Sequence, residues 1–445
     1  MKCQKLFLIA LSLYASSLYT LEQPEMIVFI HGTVKPVEFS FSNLYKIMRN
    51  KIENSVYIQA AAQVRKDPFF YQGQPMQQLG LHPITTESPS PAALSFTHLY
   101  NKQYDHLYKN NSKRLYYTYG WTGLLSIRKR YEAAQELYAD LSKEIKRLHS
   151  EGVYPTLSLY SYSYGANVAL NLAAVKDDNP KLDPNAFTVD KLIMFGAPIQ
   201  RATDYLVSNP IFKKVYHFYS QEDSIQTLDV FSSREFFIKN RFSNRSKFSV
   251  PNKVIQVRVR FTKSLCGLNR IKNMPSEPYK LLADRRLRKR HRDSGHAELW
   301  NLKWGTYWYG SSFPLNPLPV ASLAPSFIHA IDTHAPTRQH LTLDYSKTQS
   351  GALLSGRLKH FRKAVPILTP QLTEELYTLA HRFKPKAFTV DNQLTKTRAI
   401  LKKIKKGIKK GSPYRKSRLL TAYLKPNNIP QFKKIRHGHL LGTKL

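Results

Sequence analysis

Short apolar runs alternate with longer stretches in which apolar residues recur every three or four positions. Met26-Ile27-Val28-Phe29-Ile30, Leu115 to Tyr119, Thr156 to Tyr160, Lys191 to Phe195, Lys214 to Tyr219 and Val254 to Phe261 have the length and content of strands. Tyr131, Ala134, Tyr138, Leu141, Ile145 and Leu148 share one face of a helix, and the mostly apolar segment from Ala166 to Val175 predicts a buried one. Strands alternating with helices imply right-handed crossovers and a parallel sheet. The Val254 to Phe261 run alternates apolar with polar residues, which predicts a sheet edge.

The ends of the chain follow other patterns. Lys2 and Lys5 lead into the apolar stretch Leu6 to Tyr14, and Ala15 and Ser17 supply small residues after it. That order predicts an export signal over residues 1–17, cleaved after Ser17, and a product in the periplasm, the envelope or the medium. Cys3 precedes the apolar stretch, so a lipoprotein anchor is not expected. Without the signal Cys266 is the one remaining thiol, which leaves no internal disulfide and no cysteine-rich metal site. No later apolar run reaches the ~18–20 residues of a membrane span. Near the other end, Thr369-Pro370 opens a helix with Leu372, Leu376, Leu379 and Phe383 on one face. A second pattern sets Ile400, Leu401, Ile404 and Ile408 against Lys402, Lys403, Lys405, Lys406, Lys409 and Lys410. The organisation expected is a signal, an α/β body over residues 18–345, and a basic, mainly helical extension over 346–445.

Composition changes this picture in one respect. An apolar fraction of 42% is ordinary for a globular chain, but 68 Lys+Arg against 30 Asp+Glu give a net charge of +38. Residues 351–445 hold 23 of the basic residues and three acids, more than half of the excess. Such a surface attracts anionic lipid or nucleic acid. A stripe of apolar residues backed by lysines suits an anionic membrane. Nucleic acid is not favoured, because no strand pattern presents Tyr414, Tyr423 or Phe432 for base stacking.

Candidate chemistry lies mid-chain. Ser161-Tyr162-Ser163-Tyr164-Gly165 joins a predicted strand to a predicted helix. A nucleophile on so sharp a turn needs small residues two before and two after it; Gly165 meets the need and Ser161 stands where Gly is more usual. His31-Gly32-Thr33 follows the first strand, upstream of that turn.

On these residues the sequence resembles the α/β-hydrolase superfamily, its lipase and esterase branch in particular, over roughly residues 25–300. The resemblance implies a mostly parallel sheet flanked by helices, a Ser163 nucleophile, and a triad ordered Ser, acid, His along the chain. Carried over residue by residue, it makes His31-Gly32-Thr33 the oxyanion loop, with the Thr33 and Tyr164 N–H groups as donors. Asp223, in the Ser220-Gln221-Glu222-Asp223-Ser224 turn, becomes the acid, with Glu222 the alternate and Asp229 farther from the strand end. His296, in Asp293-Ser294-Gly295-His296, becomes the base, ahead of His329 and His291. No metal or organic cofactor is required.

Two insertions bear on substrate. Residues 63–105 include Pro68-Phe69-Phe70-Tyr71, Met76, Leu79, Leu81 and Pro83, which fit either a lid over a cleft or ordinary packing. The second, over about 263–292, carries Arg285, Arg286, Arg288, Lys289, Arg290 and Arg292 and is suited to phosphate headgroups or to plain solvation. The activity expected is an exported lipase- or esterase-like hydrolysis of carboxylic esters, lipid esters above all, through an acyl-enzyme. The alternatives are acyl transfer or thioester cleavage on the same triad, or a non-catalytic fold that binds nucleic acid or anionic envelope surfaces.

Overall fold

The computed structural model describes residues 23–33, 73–108, 113–179, 186–221, 223, 238–262, 291–302, 317–345, 352–356 and 365–385. Among the described residues eleven strands form one sheet: β1 (Glu25–Ile30), β2 (Gly80–Pro83), β3 (Arg114–Gly120), β4 (Thr156–Tyr162), β5 (Val189–Phe195), β6 (Phe212–Tyr219), β7 (Val254–Thr262), β8 (His291–Asp293), β9 (His340–Tyr345), β10 (Ala352–Gly356) and β11 (Val365–Pro366). Their order is β11-β10-β9-β7-β6-β5-β4-β1-β3-β2, with β8 paired to β7. From β9 through β3 every neighbour on this path is parallel; β2, β8, β10 and β11 join antiparallel. The chain is therefore an α/β protein with a mixed, mostly parallel sheet.

The central runs are apolar without alternation because both faces are covered. Met26, Val28 and Ile30 of β1 join Leu157 and Leu159 of β4 and Leu192 and Met194 of β5 in one buried cluster. There they meet Leu137 and Leu141 of α2 (Ile127–Ser150) and Val168 and Leu172 of α3 (Tyr164–Asp178). The intervening Ile27, Phe29, Tyr160, Tyr162, Ile193 and Phe195 face the second cluster. That cluster is closed by α1 (Pro91–Tyr108), α4 (Ala324–His334) and α5 (Pro370–Arg382), through Phe96, Phe327 and Leu376 among others. Among the described residues no helix is long and apolar enough to cross a membrane.

Three expectations need adjusting. The Val254 to Phe261 run is not an edge: β7 lies inside the sheet between β6 and β9. Its polar positions are occupied by specific partners instead of water. Gln256 bonds the Phe242 backbone (2.8 and 3.2 Å), Arg258 pairs with Asp293, and Arg260 with Asp344. The body does not stop at residue 345, since β10 and β11 continue the sheet and α5 buries Leu372, Leu376 and Ala380. Thr369 does cap α5 from its side chain, accepting from Leu372 N at 3.1 Å. Of the 63–105 insertion, residues 80–83 form the edge strand β2 and residues 91–105 belong to α1, which is packing; Pro68-Phe69-Phe70-Tyr71 lie outside the described residues. So do residues 1–17, the arginine cluster from Arg285 to Arg290, and the Ile400 to Ile408 pattern.

Candidate active site

β4 runs straight into α3, and Ser163 sits at the junction with φ 51° and ψ −126°. Among the described residues it is the one non-glycine with positive φ. Backbone in that region costs about 1–3 kcal/mol and persists only where surroundings enforce it. Here Ser163 N donates to Phe195 O (2.9 Å), and Ala166 N donates to Ser163 O (3.1 Å). The turn is tight enough that a Cβ on Gly165 would lie 2.3 Å from the His31 carbonyl oxygen, so β1 and α3 touch only because residue 165 has none. Ser161, in the position where Gly is more usual, is buried in β4 and donates to Ile193 O at 3.2 Å.

The loop after β1 crosses this turn. A Cβ on Gly32 would come within 2.9 Å of Ser163 Cβ and 2.7 Å of the Tyr162 ring. His31 is fully buried and stacked on Trp121, whose N–H donates to His31 Nε2 (3.2 Å) and whose indole donates to His31 O (2.7 Å). With Nε2 accepting, Nδ1 carries the proton and donates to Gly32 O at 2.6 Å. Thr33 follows, with a buried hydroxyl that has no hydrogen-bond partner. Tyr164 opens α3, so its N–H stands at the positive end of the helix.

His296 and Asp223 arrive from separate loops. His296 starts a single helical turn, His296–Leu299, after Gly295, whose N–H donates to Glu298 Oε2 (2.6 Å). His296 Nε2 lies 3.0 Å from Ser163 Oγ, and Nδ1 lies 2.5 Å from Asp223 Oδ2. A carboxylate accepts from Nδ1–H, which leaves Nε2 as acceptor for the serine hydroxyl. The imidazole is walled by the Tyr162 ring at 4.8 Å, itself stacked on Trp300 at 5.5 Å. Gly196, at φ 57°, closes the other side: a Cβ there would sit 3.1 Å from His296 Nδ1 and 3.3 Å from Asp223 Oδ2.

The structure thus brings together Ser163, His296, Asp223, His31, Gly32, Thr33, Tyr164, Ser161 and Gly165. His329 is elsewhere, on α4 beside the Tyr108 hydroxyl (3.2 Å); His291 is in β8; Glu222 and Asp229 lie outside the described residues. Trp121 and Gly196 escape sequence reasoning, although each follows a strand end where a site would form. The arrangement can deprotonate a serine hydroxyl as it attacks and return the proton to a leaving group. Comparison with protein-family models, curated proteins and solved structures finds no match to this chain.

Proposed function

We propose that the chain is a serine hydrolase of the α/β-hydrolase type, cleaving carboxylic esters through an acyl-enzyme. The observation that carries this reading is Ser163, held in a strained turn with His296 Nε2 at 3.0 Å from its oxygen. Strain at one polar residue beside an oriented imidazole has no use in packing.

In the first half-reaction Ser163 Oγ bonds to the ester carbonyl carbon while its proton passes to His296 Nε2. The carbonyl electrons move onto oxygen, which the Thr33 and Tyr164 N–H groups receive. Each such donor is worth about 3–4 kcal/mol to the transition state. The tetrahedral centre then collapses, the ester C–O bond breaks, and His296 gives its proton to the departing alcohol. In the second half, water loses a proton to His296 and bonds to the acyl carbon, and Ser163 leaves with that proton. Asp223 keeps the proton on Nδ1 and stabilises the imidazolium.

Treatment with a fluorophosphonate, followed by mass spectrometry, tests the reading. Adduct is expected on Ser163 in the native chain and in Ser161→Ala, and none in Ser163→Ala, whose ester turnover should fall about 10⁶-fold. A native chain that stays unlabelled overturns the proposal in favour of a non-catalytic binding protein. Adding alcohol to the ester assay separates transfer from hydrolysis: ester product beyond the free acid assigns the acyl group to an alcohol acceptor.

A further inference from the structure

Asp293 is only 2% exposed, yet it has no place in the proton relay. Both of its oxygens are occupied. Arg258 on β7 grips it in a fork, with Nη2 to Oδ1 at 2.7 Å and Nε to Oδ2 at 2.9 Å, and Gln221 N donates to Oδ2 at 2.7 Å. Its main chain is also attached to β7, through the register of Arg260 with Asp293 and the Ser294 N to Val259 O bond. Gln221 stands two residues before Asp223, and Asp293 three before His296. One carboxylate therefore ties the loop that carries the acid to the loop that carries the imidazole, and both to the sheet.

We propose that the Arg258–Asp293 pair is the positioning unit of the site: it sets the spacing of Asp223 and His296, and hence the aim of Nε2 at Ser163. This rests on the acyl-enzyme reading. A planar guanidinium–carboxylate fork fixes direction as well as distance. Geometry of a catalytic group must hold to about 0.5 Å, and a displacement of 1 Å costs on the order of 10²-fold in rate. Asn240 also holds the acid loop, its Nδ2 donating to Ser220 O at 3.1 Å, one residue farther from Asp223.

The test uses the full chain with Asp293→Asn and Arg258→Lys, a short-chain chromogenic ester, and a fluorophosphonate. Asp293→Asn should lose about 10²-fold in kcat and in labelling rate with KM unchanged, because no substrate contact is removed. Arg258→Lys, which keeps the charge but not the fork, should show a smaller loss of the same kind. Proton NMR adds a readout independent of turnover: the far-downfield Nδ1–H resonance of the short His296–Asp223 bond should shift upfield or broaden in Asp293→Asn. A core variant of comparable thermal destabilisation, Leu376→Ala, should change neither. A folded Asp293→Asn with native labelling rate and native resonance overturns the positioning role and leaves the hydrolase reading standing. If the native chain itself takes no label, the hydrolase reading falls and the positioning role with it.

Discussion

A peptide plane has two ends, and at the Gly32–Thr33 bond one end determines the other. The Gly32 carbonyl is held by His31 Nδ1, so the Thr33 N–H on the opposite side of the same plane is aimed as well. His31 in turn is limited to one tautomer, because the Trp121 N–H occupies Nε2. The imidazole is fully buried and stacked on the Trp121 ring. His31→Ala should therefore free the plane and cost about 10²-fold in kcat, the value of one oxyanion donor, with little change in KM. Steady-state kinetics on a soluble ester check it, with a melting curve to show that the variant folds; a native kcat in folded protein would mean that the plane is held by other contacts. The His-Gly pair was legible in the sequence as a loop after a strand. Its partner was not, since Trp121 is ninety residues away and nothing local marks it. The Arg258–Asp293 tie is hidden for the same reason: it is made across the sheet, between residues whose neighbours in sequence look like an exposed alternating strand.

At the scale of elements, β7 shows how such a reading goes astray. Alternation of apolar and polar residues signals one wet face only if the polar side chains meet water. In β7 they meet other parts of the chain: Gln256 satisfies the backbone of Phe242, Arg258 pairs with Asp293 of β8, and Arg260 with Asp344 of β9. Strands β1, β4, β5 and β6 were readable because burial on both faces removes that ambiguity, and α3 because the segment from Ala166 to Val175 is mostly apolar. The helix α5 was visible from its Thr-Pro start and its apolar stripe, but periodicity does not say against what a stripe packs. The partner is α1, and the contact between them includes Lys102 with Glu375 at 2.7 Å as well as the apolar seam. Leu376 is fully buried there, and Leu376→Ala should destabilise the fold by about 2–5 kcal/mol. Chemical denaturation measures the loss. Activity per folded molecule should stay native, because α5 contributes no group to the site; a fall in kcat at full occupancy of the folded state would place α5 in the catalytic machinery.

For the whole molecule, basic charge is concentrated beyond the last described helix. The described elements end with α5 at Arg382, whereas residues 386–445 hold 17 Lys+Arg and one acid, Asp391. A cut near residue 346 would strip β10, β11 and α5 and confound binding with unfolding. A cut after Pro385 removes charge while sparing every described element. If the basic segment serves to bring an ester hydrolase to its substrate, the two properties must be separable: the shortened chain should hydrolyse a soluble short-chain ester at the native rate and lose affinity for vesicles containing phosphatidylglycerol. Raising the salt should weaken the full chain's binding in the same way, since screening shortens the reach of surface charge to within about 10 Å at 0.1 M. Vesicles of phosphatidylcholine alone supply the reference for apolar insertion without net charge. Sedimentation of protein with each vesicle type measures both arms. Native binding by the shortened chain would assign the surface attraction to the rest of the protein, where 51 Lys+Arg in residues 1–385 still outnumber 29 acids.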